Sequence, residues 1–398
     1  MRVRKVLWSN TEEPILVIMA LLILIGTINV FSSSYVLAME DYQDPYYFFK
    51  RHLIWLFLGT VLCAAFARMN YARLRNTPAT WSAAGIISVL LLAVLFVGVE
   101  INGAKRWITF SGFSLQPAEY AKLISIILCT KAFAYQVRKG KKITLFHPIL
   151  GLLAFYFFLI FKEPDMGTAS IVVGIPVAMA VFLGMRARQR NILFILLVVV
   201  LPAAIISEQY RLDRMKVFFD PWSDAQSTGY QTVQSILTVG SGGLLGMGGD
   251  TSVSKYEYLP EAHTDFAFSI LSQEHGYVGA LLVFLLFILL IFYCERVANR
   301  ARDTYGQVLA LGIMLLISGQ ALVNLGMVSG IVPVVGVPLP FISYGGSSLT
   351  VTMAAIGILL SISRNGVSKE ERQELDRREL EAERRQIEKR RAAIHRVK

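Results

Sequence analysis

The chain has 398 residues, of which 55% are apolar and only 17% charged, with a mean hydropathy of +0.53. A soluble chain carries about 25% charged residues, so a string of soluble domains is excluded in favour of a polytopic membrane protein. The net charge of +11, from 39 Lys and Arg against 28 Asp and Glu, raises the question of a nucleic-acid partner until the charges are placed along the chain.

Ten apolar runs follow in chain order, at 15–31, 53–67, 79–99, 120–135, 148–161, 169–185, 192–206, 277–294, 308–328 and 349–362. They predict an all-α fold of about ten transmembrane helices with one large extracytoplasmic loop, 207–276. Several runs fall short of the ~20 residues a crossing helix needs, so their ends rest at the interfaces or against neighbouring helices. With the N-terminus inside, the inner segments hold 28 Lys and Arg against 12 acidic residues, and the outer ones hold 9 against 15. Every short inner loop is basic, which places both termini in the cytoplasm and makes the charge excess a topology signal, with no nucleic-acid partner. The first run lacks a small-residue cleavage site and reads as a retained anchor. Cys63, Cys129 and Cys294 fall in or at the end of apolar runs and read as small buried hydrophobes.

Polar residues then collect on the outer side. Lys50 and Arg51 stand at the outer end of the second run. Asn102-Gly-Ala-Lys105-Arg106-Trp107 precedes the fourth run, where Glu119 and Lys122 share one helix face. Ionisable residues inside a span mark a functional interior or a buried structural pair. Glu163-Pro-Asp165-Met-Gly-Thr168 opens the sixth run, with Asp165 and Thr168 suited to capping.

The 207–276 loop carries Gly229-Tyr230-Gln231, six glycines between 240 and 249, and Tyr258-Leu-Pro-Glu261-Ala-His263-Thr264-Asp265-Phe266. The glycines match neither Walker nor Rossmann spacing, so hinge or close-packing roles are expected of them. Glu261, His263 and Asp265 fit a general base, a divalent-ion site, or capping of the next helix by Thr264 or Asp265. Three prolines and several glycines from Pro333 to Ser348, Ser343 among them, predict a broken segment enclosed by protein or lining a wet cavity. The 364–398 tail, with 12 basic and 8 acidic residues, reads as a solvated helix through Glu374/Arg378 and Glu381/Arg385; Leu380, Ile387 and Ile394 are too few for a coiled coil. Cations beside carboxylates in apolar surroundings suit a lipid phosphate reached from the outer leaflet.

The segments LQPAEYAKL (115–123), EPDMGTA (163–169), GYQTVQS (229–235), YLPEAHTDF (258–266) and PLPFISYGGSS (338–348) resemble those of the SEDS family of shape, elongation, division and sporulation proteins, in the same order over residues 15–363. Ser254-Lys255 before YLPEAHTDF is FtsW-like more than RodA-like. The resemblance implies a peptidoglycan glycosyltransferase of the bacterial cytoplasmic membrane that polymerises lipid II at its outer face in cell division. Its implied partners are a class B penicillin-binding transpeptidase and other division-complex membrane proteins.

By the same resemblance Asp265 is the catalytic base, and Arg51, Arg106 and Lys122 are candidates for binding the diphosphate. Glu119, Glu261, His263, Thr264, Asp165, Gln231 and Ser343 support them. No lysine lies between Pro333 and Pro338, so no cationic role carries over there. No cofactor is implied; a divalent cation is compatible, but no ligand set in the sequence demands one. The alternatives are a lipid II flippase, an elongation-type polymerase and a non-enzymatic division scaffold. The expected division of the chain is a 1–363 membrane domain and a 364–398 cytoplasmic tail.

Overall fold

The computed structural model describes residues 12–75, 77–101, 104–110, 113–145, 148–206, 209–227, 229–249 and 259–366, with Glu374, Arg377 and Glu381. Twelve α-helices order the described residues: α1 (Glu12–Tyr42), α2 (Tyr47–Arg68), α3 (Thr77–Val97), α4 (Pro117–Arg138), α5 (Pro148–Lys162), α6 (Met166–Phe182), α7 (Ala187–Ile206), α8 (Gln209–Phe219), α9 (Tyr230–Ser241), α10 (Ala267–Arg300), α11 (Thr304–Val328) and α12 (Gly346–Arg364). The ten apolar runs fall on α1–α7 and α10–α12, so the multi-pass helical fold holds. Six of these, α1, α2, α3, α10, α11 and α12, are long and apolar enough to cross a membrane, and α5 and α6 are shorter apolar helices.

Helix α12 is the central one. Its apolar window is 89% buried, against 22–33% for α1, α2 and α3, whose outward faces keep their large apolar side chains for lipid. Small residues cause the difference, because without a hydrophobic drive between helices close backbone approach is what holds them together. A Cβ on Gly357 would lie 2.4 Å from the carbonyl oxygen of Cys63, and one on Gly346 would lie 2.3 Å from the Trp55 ring, both on α2.

Two features depart from a purely helical reading. Between α3 and α4 the chain forms a small antiparallel sheet, β1 (Val99–Ile101), β2 (Ala104–Phe110) and β3 (Phe113–Leu115), in that spatial order. Trp107, Ile108, Thr109 and Phe110 are strand formers that the longer helical periodicity on either side obscures.

The second departure is at the end of the long outer loop. Much of that loop is helical, and α10 begins at Ala267, inside the range read as loop, then breaks at Gly276 (φ 63°, ψ −164°). That conformation is open essentially to glycine alone. The glycine-rich stretch closes the break: Gly243 and Leu244 carbonyls accept from Tyr277 and Val278 N–H at 2.9 and 3.2 Å, while Met247 and Gly248 N–H donate to Gln273 and Glu274 carbonyls at 2.9 and 3.1 Å. Gly242 and Gly246 close-pack, a Cβ on either lying 2.1 Å from the Ser272 or Glu274 carbonyl oxygen, and the stretch satisfies backbone groups freed by the break, which apolar surroundings require.

The Pro/Gly-rich segment between α11 and α12 is irregular and enclosed by protein, with Val337, Leu339, Phe341 and Ile342 buried. Gly26 of α1 passes so close that a Cβ there would meet the Phe341 carbonyl oxygen at 2.0 Å. Ser254, Lys255 and Tyr258, like Asn102, most of the tail and the tail pairs Glu374/Arg378 and Glu381/Arg385, lie at least partly outside the described residues.

Candidate active site

Asp265 ends a tight turn that leads into α10. Thr264 and Phe266 N–H both donate to the Glu261 carbonyl, at 3.1 and 3.2 Å, with Glu261 held at φ 56°. The Thr264 hydroxyl donates to the Glu261 carboxylate at 2.6 Å, which fixes that charge beside the turn. Two buried asparagines clamp the turn from other helices. Asn324 of α11 donates to the Asp265 carbonyl at 2.7 Å and to that of Val337 at 2.7 Å, and Asn29 of α1 donates to the Ala267 carbonyl at 2.9 Å. Both were passed over in the sequence, although an amide inside an apolar run is itself a signal that it has a partner to hold.

The irregular segment forms the facing wall. A Cβ on Gly336 would lie 3.3 Å from Asp265 Oδ2, so the absence of a side chain there leaves room at the carboxylate. Tyr344 N–H donates to the His263 carbonyl at 2.8 Å, joining the two segments that carry the strongest family likeness. The His263 ring lies between Phe48 and Tyr344, with centroids 4.6 and 5.6 Å away. Its burial lowers the imidazole pKa and favours the neutral form. Ser343 accepts from Leu339 N–H at 2.9 Å and shapes this wall from within.

Asp265 is half-buried and its pKa is pushed up to about 7, chiefly by desolvation and then by Glu261 and Asp165, with Arg106 opposing and Glu119 adding a smaller push. Residues far apart in the chain thus act on one carboxylate. Arg106 reaches from β2 over the turn between α5 and α6, donating to the Glu163 and Pro164 carbonyls at 3.3 and 2.6 Å. Beneath it Glu163 is wholly buried, its carboxylate lacks a hydrogen-bond partner among the described residues, and its pKa rises to about 8, mainly through desolvation.

The remaining expected residues divide by environment. Asp165 caps α6 by accepting from Thr168 N–H at 3.0 Å, and also accepts from Gln116 at 3.0 Å. The Lys122 ammonium donates to Glu119 at 2.6 Å, with side chains 1% and 4% exposed. Arg51 lies over the Tyr47 ring at 4.4 Å, and Tyr47 adjoins Phe48, which in turn packs on His263. Lys50 pairs with Asp44 at 2.8 Å, exposed and away from this cluster's interior. Gln231 opens α9 half-buried, and it is not among the residues that shape the Asp265 turn. Among the described residues no group of three or more His, Cys, Asp or Glu is arranged to hold a metal ion.

Comparison with known proteins gives a consistent picture. The cell cycle protein family of FtsW, RodA and SpoVE matches residues 13–367. Stage V sporulation protein E of Bacillus subtilis is 38% identical over 365 residues, covering 89% of this chain and 98% of the relative. A Geobacter metallireducens protein named "Probable peptidoglycan glycosyltransferase FtsW" is 37% identical, covering 85% and 90%. A solved peptidoglycan synthase complex, described as coordinating polymerisation and crosslinking, contains a chain that superposes with a TM-score of 0.72 at 27% identity, covering 88% and 96%. The Thermus thermophilus rod shape determining protein RodA superposes with a TM-score of 0.64 at 27% identity, covering 88% and 95%.

Proposed function

The chain belongs to the FtsW/RodA/SpoVE family of cell cycle proteins, and from that premise we propose that it is a peptidoglycan glycosyltransferase in which Asp265 is the general base. The enzyme class follows from relatives of the FtsW type at 37–38% identity over 85% of the chain.

Polymerisation joins the 4-hydroxyl of an acceptor sugar to the anomeric carbon of a donor carried on a lipid diphosphate. Asp265 takes the hydroxyl proton as the oxygen attacks; the new C–O bond forms with inversion, and the old one breaks with its electron pair leaving on the diphosphate. A base whose pKa lies near 7 is half-ionised at neutral pH and still strong enough to accept the proton. A diphosphate departs without a general acid, so the balancing requirement is positive charge. Arg106, which acts electrostatically on Asp265, is the first candidate; Arg51 on its aromatic ledge is the second. Lys122 contributes through its pair with Glu119. Glu261, His263, Thr264, Asp165 and Ser343 position the two walls, and Gln231 stands further off on α9.

The single observation that supports this reading most is Asp265 at the meeting of the α10 start, the Gly336 opening and the Arg106 turn. The test is polymerisation of lipid II by the purified protein with a class B penicillin-binding transpeptidase, the partner class we assign. Asp265→Asn, folded as judged by its elution and melting profile, is expected to form glycan strands at least about 10²-fold more slowly; normal strand synthesis by that variant would overturn the assignment.

We place the protein in the bacterial cytoplasmic membrane with both termini inside and the Asp265 site outside, acting in division with other division-complex membrane proteins. Residues 1–363 form the membrane domain and 364–398 a charged cytoplasmic tail. The breaks at Gly276 and between α11 and α12 are also what a lipid II transporter needs. That reading requires lipid movement in vesicles that survives Asp265→Asn and fails on change of Arg106 or Lys122.

A further inference from the structure

At the end of the bundle opposite Asp265 lies a cavity of about 580 Å³. It is lined by Arg75, Lys131, Arg138, Lys141, Lys142 and Arg186, and by the aromatic side chains of Trp81, Tyr135 and Tyr305. We propose that this cavity binds the phosphate headgroup of an anionic phospholipid from the inner leaflet.

Basic residues at the inner ends of helices are expected from topology alone, so charge by itself carries nothing. What sets this cavity apart is where its charges are held. Lys131 lies within α4, two turns before its end at Arg138, yet its side chain is exposed and lines the cavity. A lysine at that depth is costly unless it faces a wet cavity or an anion. The wall carrying Lys141 and Lys142 is built into the fold. Thr144 N–H donates to Gln136 Oε1 at 2.7 Å, Gln189 Nε2 donates to the Thr144 hydroxyl at 3.0 Å, and Leu145 N–H donates to Gln189 Oε1 at 3.1 Å. Two helices, α4 and α7, thus hold one loop so that its lysines join the same cavity as Lys131.

Among the described residues the lining contains one carboxylate, Asp303, and that group is engaged: it accepts from Gly306 N–H at 2.8 Å and from the Tyr71 hydroxyl at 2.8 Å. Six cations among the described residues line a space large enough for a phosphodiester headgroup.

The aromatic residues select a lipid over a soluble phosphate. Trp81 and Tyr135, 45% and 46% exposed, stand at the ends of α3 and α4 on this side, where amphipathic rings mark the headgroup level of a bilayer. A headgroup arriving there keeps its acyl chains in the bilayer along the exposed apolar faces. Basic pockets between helices on the inner side take headgroups of this kind.

The experiment is native mass spectrometry of the full chain released from nanodiscs of equal phosphatidylglycerol and phosphatidylcholine. The wild type is expected to retain phosphatidylglycerol preferentially, and Lys131→Gln/Lys141→Gln/Lys142→Gln to retain it at least about tenfold more weakly. Arg188→Gln/Arg190→Gln/Arg300→Gln removes the same charge from exposed positions outside the lining and is expected to retain it as the wild type does. Both triple variants must elute as folded protein and still polymerise lipid II, since none of the six residues has a place in the Asp265 site. Equal loss in both, or loss in neither, overturns the cavity as the binding site. A melting temperature raised by inorganic phosphate in phosphatidylcholine nanodiscs, with no phosphatidylglycerol retained, overturns the lipid source.

Discussion

The Asn324 side-chain amide donates at 2.7 Å to the backbone carbonyl of Asp265 and, at the same distance, to that of Val337. One wholly buried residue on α11 therefore sets the spacing between the turn that carries the base and the irregular wall opposite it. Asn324→Ala leaves two carbonyls without their donor, at a cost of about 1–3 kcal/mol for each buried group. We expect kcat for strand synthesis to fall while KM for lipid II holds, with a lower melting temperature; unchanged kcat would show that the clamp does not position Asp265.

For Asp265 itself the general-base role predicts a loss of about 10²–10⁴-fold in kcat/KM on change to Asn. Asp265→Glu keeps the base but shifts its reach, and is expected to fall between the two. Glycan-strand length and yield on gels read both variants.

The pH dependence of kcat/KM carries a second signature. With a pKa of about 7 the base is ionised above that value, so activity rises with pH through a limb near 7. Arg106 lowers this pKa and Glu261 raises it. Arg106→Gln is thus expected to move the limb to higher pH, and Glu261→Gln to lower pH. The two displacements have opposite sign, which general damage to the site would not produce.

Glu163 predicts a stability effect. Its folded pKa of about 8 lies above the usual 4.5, so burial carries no ionisation cost while the group is protonated in both states. The cost grows as pH rises from 4.5 and is complete above about 8. Glu163→Gln is expected to leave the melting temperature nearly unchanged near pH 4 and to raise it at pH 8.

The Glu119–Lys122 pair gives a double-mutant test. Lys122→Met alone strands a buried carboxylate and is expected to cost about 3–5 kcal/mol. Combined with Glu119→Gln, most of that loss is expected to return in the melting temperature. Activity that stays low in the restored double variant would assign the Lys122 charge to the reaction as well as to packing.

Much of this was legible from residue order. The apolar runs placed ten helices, because burial in lipid demands uninterrupted apolar length. The motif segments pointed to the right family, and the close packing expected of the glycines between 240 and 249 is met at Gly242 and Gly246. Short strands at 99–115 and the start of α10 at Ala267 were not legible, since both are settled by local competition with longer apolar patterns.

Amino-acid order by itself determined the solvent, the positions of the apolar helices and the identity of the chemical segments, for these depend on composition and spacing along one chain. Tertiary structure alone decided that Asn324 and Asn29 clamp the Asp265 turn, that Tyr344 ties the irregular wall to His263, and that Lys131 lines a cavity built by several helices. Each of these joins segments distant in sequence. A buried polar group must find its partner wherever packing brings one within reach, and no periodicity along the chain states which helix that will be.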